Sequence, residues 1–233
     1  MKFINLKEES ERCLLCKAPR CQPACPVNTE IPRIIKLYMD GRYLEAGEIL
    51  FENNPMSAVC SLICPFEDQC MGSCIRGIKG EPIDFPKIEN YISTKYLEKV
   101  EFLKGKNKNK KVAIVGSGPA GLTLAFILAK KGYGITIFEG HEKIGGVLRY
   151  GVPNFRLSND ILGLMEKKLI KLGVKFRFNE IIGNTTTVDD LLKDSYDAVF
   201  IGSGVWNARK LNIKGETLGH VSYAINYLKS PDS

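Results

Sequence analysis

Residues 111–139, KVAIVGSGPAGLTLAFILAKKGYGITIFE, decide the fold of the larger part of this chain. Lys111–Gly116 and Ile135–Glu139 are short and apolar, the pattern of buried strands, and they flank an apolar helix expected at 120–131. Strand, helix and strand in that order open a parallel βαβ unit. Between the first strand and the helix stands Gly116-Ser117-Gly118-Pro119-Ala120-Gly121. Small residues there let backbone N–H groups approach a pyrophosphate at the helix N-terminus. A lone G-x-G-x-x-G says little, but this one follows a strand and opens a helix, as the phosphate-binding turn requires. Glu139 ends the second strand where an acceptor for ribose hydroxyls is expected, and its charge would repel a 2′-phosphate, which disfavours NADP at this site. A tight turn without ligand is the bland alternative, and FAD and NAD share the fingerprint.

Downstream, residues 160–172 read as an amphipathic helix, Val174–Phe178 as a strand and Ala198–Ile201 as a short buried strand. Upstream, residues 104–111, KGKNKNKK, are polar throughout and read as a linker. Ahead of that linker the composition changes. All eight cysteines fall between Cys13 and Cys74. They form two groups, Cys13-x2-Cys16-x4-Cys21-x3-Cys25-Pro26 and Cys60-x3-Cys64-Pro65-x4-Cys70-x3-Cys74, with two short helices expected across residues 30–53 between them. Pro23, Pro26, Pro65 and nearby glycines mark the cysteine segments as loops. Eight thiols make two tetrads, and cysteines two to four residues apart on irregular backbone can converge on one iron–sulfur cubane. Zinc would also use eight thiolates but favours C-x2-C at both halves of a site, and the second group has none. Disulfides are a third reading, weakened if the chain stays in a reducing compartment.

The chain has 233 residues, is 44% hydrophobic and carries a formal charge of +7. Two [4Fe-4S] clusters at about −2 each would bring that to roughly +3, and no Arg-rich stripe interleaved with aromatics points to nucleic acid. The opening MKFINLKEESER is charged and no apolar run is long enough for a membrane span, so a cytoplasmic location is expected, with no membrane insertion. His141 and His220 stand apart and read as surface or loop residues, and Trp206 as packing. No Ser/His/Asp set, Cys/His pair or carboxylate pair supports hydrolysis, and no residue is assigned a catalytic role.

The cysteine pattern resembles the N-terminal domain of the NADPH-dependent glutamate synthase small subunit, also found at the start of dihydropyrimidine dehydrogenase and in ferredoxin:NADP oxidoreductases. The resemblance implies interleaved ligands: Cys13, Cys16, Cys21 and Cys74 for one [4Fe-4S] cluster, Cys25, Cys60, Cys64 and Cys70 for the other. Ser61-Leu62-Ile63 departs from the Gly-Arg-Val common in that family, but all eight ligand positions are present. Gly145-Gly146 with Arg149, and later Gly202-Ser203-Gly204, resemble the family's flavin-binding stretches, which favours FAD as the dinucleotide. Ser158-Asn159 stands where relatives commonly have Pro-Lys.

The expected fold is therefore α+β: a small α-helical iron–sulfur domain over residues 1–103, a linker over 104–111, and an incomplete Rossmann-like α/β FAD-binding domain over 112–233. The resemblance also implies a further NADPH domain that this sequence lacks. Three expectations follow: a short electron-transfer subunit relaying electrons between FAD and two [4Fe-4S] clusters in a larger complex, a fragment of a complete NAD(P)H-dependent oxidoreductase, or a cluster-bearing adaptor with a ligand-free Rossmann half. The first is favoured, with other redox subunits, ferredoxin or an NAD(P)H-binding subunit as partners, because a truncated sheet leaves a face for another subunit to cover.

Overall fold

The computed structural model describes residues 5–229 and divides into two compact units, one ending at Val100 and one beginning at Glu101. Expectations touching residues 1–4 and 230–233 lie outside the described residues.

The first unit is helical. Helix α1 (Leu6–Glu11) is capped by the Asn5 side chain, which accepts from the Lys7 N–H; α2 (Ile31–Met39) starts with Pro32 in its first turn, and α3 (Tyr43–Asn53) follows a turn at Gly41. Gly41 has a φ of 75°, a left-handed conformation that stops α2 at little steric cost. Helix α4 (Ser57–Ile63) precedes a 3-10 turn at Ile75–Ile78, and the long α5 (Phe85–Lys99) is capped by the Asp84 carboxylate. The core is built where α2, α3 and α5 meet, from Ile34, Ile35, Leu50, Ile88 and Ile92, all essentially without solvent contact. A Cβ at Gly47 would lie 2.5 Å from the Tyr96 Cβ, so α3 and α5 approach closely only because that position is glycine. Cys13, Cys21, Cys70 and Cys74 pack against this core. The second cysteine group is not wholly loop as its prolines suggest: Cys60 sits on α4, and the irregular backbone begins at Cys64, just before Pro65.

The second unit is a four-stranded parallel sheet in the order β3-β2-β1-β4, with β1 Lys111–Val115, β2 Gly134–Glu139, β3 Lys175–Phe178 and β4 Ala198–Ile201. Helix α6 (Pro119–Lys130) links β1 to β2, and α7 (Val147–Tyr150) and α8 (Asn159–Lys171) link β2 to β3. Helix α9 (Val188–Lys193) leads into β4, and α10 (Ala224–Lys229) ends the described chain. Ile114, Leu122, Phe126, Ile137 and Leu169 are fully buried in this unit. Burying a side chain of that size is worth about 2 kcal/mol, so packing outweighs weak strand propensity in fixing the sheet. β4 is half exposed, with Ile201 at 61%, because it is an edge strand; strand order, which no local pattern encodes, decides this.

Residues 105–110 are tied to the second unit by backbone bonds, Gly105 N–H to Lys130 O at 2.9 Å, Lys108 N–H to Gly132 O at 3.1 Å and Gly134 N–H to Lys110 O at 2.9 Å. Their polar side chains are exposed while the backbone is pinned to the turn between α6 and β2.

The sheet defines a switch point. From β1 the chain runs to β2 on one side and returns to β4 on the other, so a crevice opens at the carboxyl ends of β1 and β4, where ligands bind open parallel sheets.

Candidate functional site

All eight cysteines are free and half buried. The thiols fall into two neighbourhoods. Cys13, Cys16, Cys21 and Cys74 lie within electrostatic reach of one another. With Cys70 they line a cavity of about 120 Å³. Burial, reinforced by Cys74 and Cys13, pushes the Cys21 thiol up to about 11, and burial also raises Cys13. In the second neighbourhood the Cys64 thiol donates to Cys60, holding the Cys60 pKa down to about 6 while raising that of Cys64. Cys60 also accepts from Asn54 Nδ2 at 3.2 Å. Burial and the nearby Glu89 and Cys25 push Cys70 up to about 12. Several crowded thiols that resist ionisation form a donor set that needs a cationic partner before all can be thiolates, and cluster iron supplies one. Among the described residues no three His, Cys, Asp or Glu side chains converge closely enough to hold a single metal ion.

Glu89 is the residue the sequence reading missed here. It sits on α5 among Ile88, Ile92 and Ser93, its carboxyl accepts from Ser57 Oγ at 2.9 Å, and burial pushes it up to about 8, despite that bond and with Cys60 adding to the rise. An acid on the apolar side of a helix was the only available signal.

The second site is a cavity of about 760 Å³ at the carboxyl ends of β1, β2 and β4. Gly116, Gly118, Pro119, Ala120, Glu139, Gly146, Gly202, Ser203 and Gly204 all line it, whereas Ser117, Gly121, Gly145 and Arg149 do not. Those four support it from behind. A Cβ at Gly121 would fall 2.0 Å from Gly116 O, so glycine there lets α6 close onto β1. Ser117 is fully buried, and its hydroxyl accepts from the Gly145 N–H at 3.2 Å. The Arg149 guanidinium turns to Ile144 O at 2.7 Å and Asn159 Oδ1 at 3.0 Å.

A Cβ at Gly118 would meet nothing within 4 Å, so the turn presents bare backbone to open space at the N-terminus of α6. That opening, and the cavity's size, fit a dinucleotide phosphate on the helix end.

Two family profiles match the chain, overlapping at residues 73–101. Residues 2–101 match the profile described as dihydropyrimidine dehydrogenase domain II, 4Fe-4S cluster, and residues 73–205 match pyridine nucleotide-disulphide oxidoreductase. The chain belongs to the pyridine nucleotide-disulphide oxidoreductase family. The small chain of glutamate synthase [NADPH] from Escherichia coli strain K12 is 35% identical over 225 residues, covering 95% of this chain and 48% of that protein. The dihydropyrimidine dehydrogenase subunit PreT of Salmonella typhimurium, described as NAD-dependent, is 33% identical over 225 residues, covering 95% of this chain and 54% of that protein. The chain thus spans about half the length of these relatives. Its two matches bring together the 4Fe-4S and flavoprotein Rossmann-type features of that family.

In this family member Glu139 is not a free acceptor. Oε2 takes the Ser117 N–H at 2.9 Å and the Ser117 hydroxyl, and Oε1 takes the His141 N–H and its ring Nδ1, both at 2.9 Å. A carboxylate offers about four acceptor positions, so all are engaged. Burial alone would raise its pKa, but the bonds from Ser117 and His141 outweigh that and hold the carboxyl below its ordinary range. His141, read from sequence as a surface or loop residue, lines the cavity, stacks on Tyr150 at 4.5 Å and lies 5.3 Å from Trp206. Trp206 also lines the cavity, and its indole N–H donates to Ser203 O at 2.9 Å. Among the described residues no helix is long and apolar enough to cross a membrane.

The Glu139 ties carry two expected outcomes. Glu139→Ala strands two buried Ser117 donors, so the unit should lose on the order of 3 kcal/mol, read by urea unfolding. The folded pKa lies below the unfolded one, so its stabilisation is present above about pH 4.5 and lost as pH falls through the depressed value. Wild-type stability should therefore drop more steeply than that of Glu139→Gln below pH 4.5, measured by unfolding across that range.

Proposed function

We propose that this chain is an electron-transfer subunit, relaying electrons between FAD in the cavity at the β1 and β4 ends and two [4Fe-4S] clusters in the helical unit, within a larger oxidoreductase complex. The observation that carries the reading is the coexistence of two thiol neighbourhoods in the unit matching a 4Fe-4S profile with a bare glycine turn over a dinucleotide-sized cavity. The proposed ligands are Cys13, Cys16, Cys21 and Cys74 for one cluster, and Cys25, Cys60, Cys64 and Cys70 for the other. FAD would exchange electrons in pairs and the iron centres singly, which lets such a subunit join two-electron and one-electron chemistry.

The chain's own groups bind and orient. Gly118, Ala120 and the start of α6 would take the pyrophosphate. Glu139 would receive a ribose hydroxyl in place of the His141 ring N–H, the one of its four bonds made by a partly exposed side chain lining the cavity. Its negative charge disfavours a 2′-phosphate there. His141, backed by the stacked Tyr150 ring, and Trp206 wall one side and would restrict water. Hydride exchange with NAD(P)H and partner subunits belong to this proposal, supported by the named functions of the relatives, and a cytoplasmic location goes with them as an expectation from the sequence.

Anaerobically purified protein should hold about eight irons with matching labile sulfide and about one FAD per chain. Zinc in place of iron, or iron without flavin at any stage, would reject the relay. Cys60→Ser should lower iron to about four per chain and Glu89→Gln should leave it at about eight; the reverse outcome would remove Cys60 from the ligand set.

A further inference from the structure

The rims of the two thiol neighbourhoods differ in charge. Around the first lie Lys17 and Arg20, from the loop carrying Cys16 and Cys21, and Arg76 and Lys79, from the turn after Cys74. All four are exposed, and none has an ion-pair partner among the described residues. Arg12, paired with Glu9 at 2.7 Å, adjoins Arg76 and Lys79 in a surface cavity of about 370 Å³. Inside this rim three apolar side chains face solvent: Leu14 at 57%, Ile75 at 45% and Ile78 at 64%. Leu14 is next to Cys13 and Ile75 next to Cys74, and both line the thiol cavity. The turn between Cys64 and Cys70 instead exposes Glu67 and Asp68 and carries no basic residue.

An apolar centre with cationic side chains around it, beside the cavity lined by Cys13, Cys16, Cys21 and Cys74, suits brief docking of an acidic protein: charge steers the encounter and a small apolar contact holds it. We infer that Lys17, Arg20, Arg76 and Lys79, around Leu14, Ile75 and Ile78, form the docking surface for a small acidic one-electron carrier protein that exchanges electrons through the Cys13, Cys16, Cys21 and Cys74 site. This rests on the cluster reading above and names the partner of that site. One electron passes, the donor is oxidised as the acceptor is reduced, and no bond is made or broken.

The test uses the anaerobic holoprotein and a purified acidic [2Fe-2S] ferredoxin as probe, with affinity read by titration and electron transfer by stopped flow. Affinity for the probe should fall about tenfold between 50 and 200 mM salt. Lys17→Glu with Lys79→Glu should cost at least about tenfold in association rate at low salt, and the milder Lys17→Gln with Lys79→Gln a smaller loss, with iron and labile sulfide unchanged in both. Glu67→Lys with Asp68→Lys should leave affinity as in wild type. Unchanged binding in the Lys17/Lys79 variants, an effect confined to the Glu67/Asp68 pair, or tighter binding of a DNA oligonucleotide of equal charge would overturn the docking surface. Absence of iron from the wild type would instead sink the cluster reading, while the binding constants still decide where an acidic protein docks.

Discussion

Replacing Cys74 by serine is expected to cut bound iron from about eight to about four per chain and to lower the melting point of the whole helical unit. Cys74 is the one member of the first neighbourhood that comes from the second loop; Cys13, Cys16 and Cys21 all precede α2. A cluster held by these four is a staple between distant segments, closing a loop of roughly 50 residues. By the entropy argument used for disulfides, such a closure is worth about 4 kcal/mol. A domain of this size has only about 5–15 kcal/mol of net stability, so the staple is a large share of it. The backbone at Cys74 is held by its own turn bonds, Cys74 N–H to Met71 O and Gly77 N–H to Cys74 O, both at 2.9 Å, so serine there leaves the local turn intact. Destabilisation should therefore track lost iron, and chelator-treated wild type should melt no higher than the variant. Iron and sulfide assays with anaerobic melting check this; a Cys74→Ser protein with eight irons would remove Cys74 from the ligand set.

The central βαβ unit was legible because its information is local. Strands expected at Lys111–Gly116 and Ile135–Glu139 appear at Lys111–Val115 and Gly134–Glu139, since apolar runs between glycines leave few alternatives. Features depending on distant partners were not. The edge position of β4 follows from strand order, and the helix under Cys60 was masked by the prolines and cysteines around it. Glu89 carried only the weak signal of an acid on the apolar side of α5, and its partner appeared only once α4 was packed beside it, through the Ser57 bond. His141 gained its place only when Tyr150 and Trp206 came to flank it. Glu139 was recognisable as a site residue from its spacing, but its engagement by Ser117 and His141 required the folded turn.

Two substitutions in the glycine turn should have opposite causes for the same loss of flavin. Gly118 has φ −69° and ψ −176°, extended backbone open to any residue, and a Cβ there meets nothing within 4 Å. Gly118→Leu should therefore fold with stability within about 0.5 kcal/mol of wild type, as surface changes usually do. Its side chain would project into the cavity where the pyrophosphate is proposed, so FAD should fall from about one per chain to near zero. Gly116 has φ 98°, and a Cβ there would lie 2.4 Å from Gly202 O. Gly116→Ala must push the ends of β1 and β4 apart, at a cost of several kcal/mol, and should lose FAD together with the fold of the second unit. Flavin fluorescence after release, alongside circular dichroism melts of both variants, separates the cases. A folded Gly118→Leu protein retaining a full complement of FAD would show that the flavin is held somewhere other than this turn, because the added side chain extends from the backbone that the phosphate is proposed to approach.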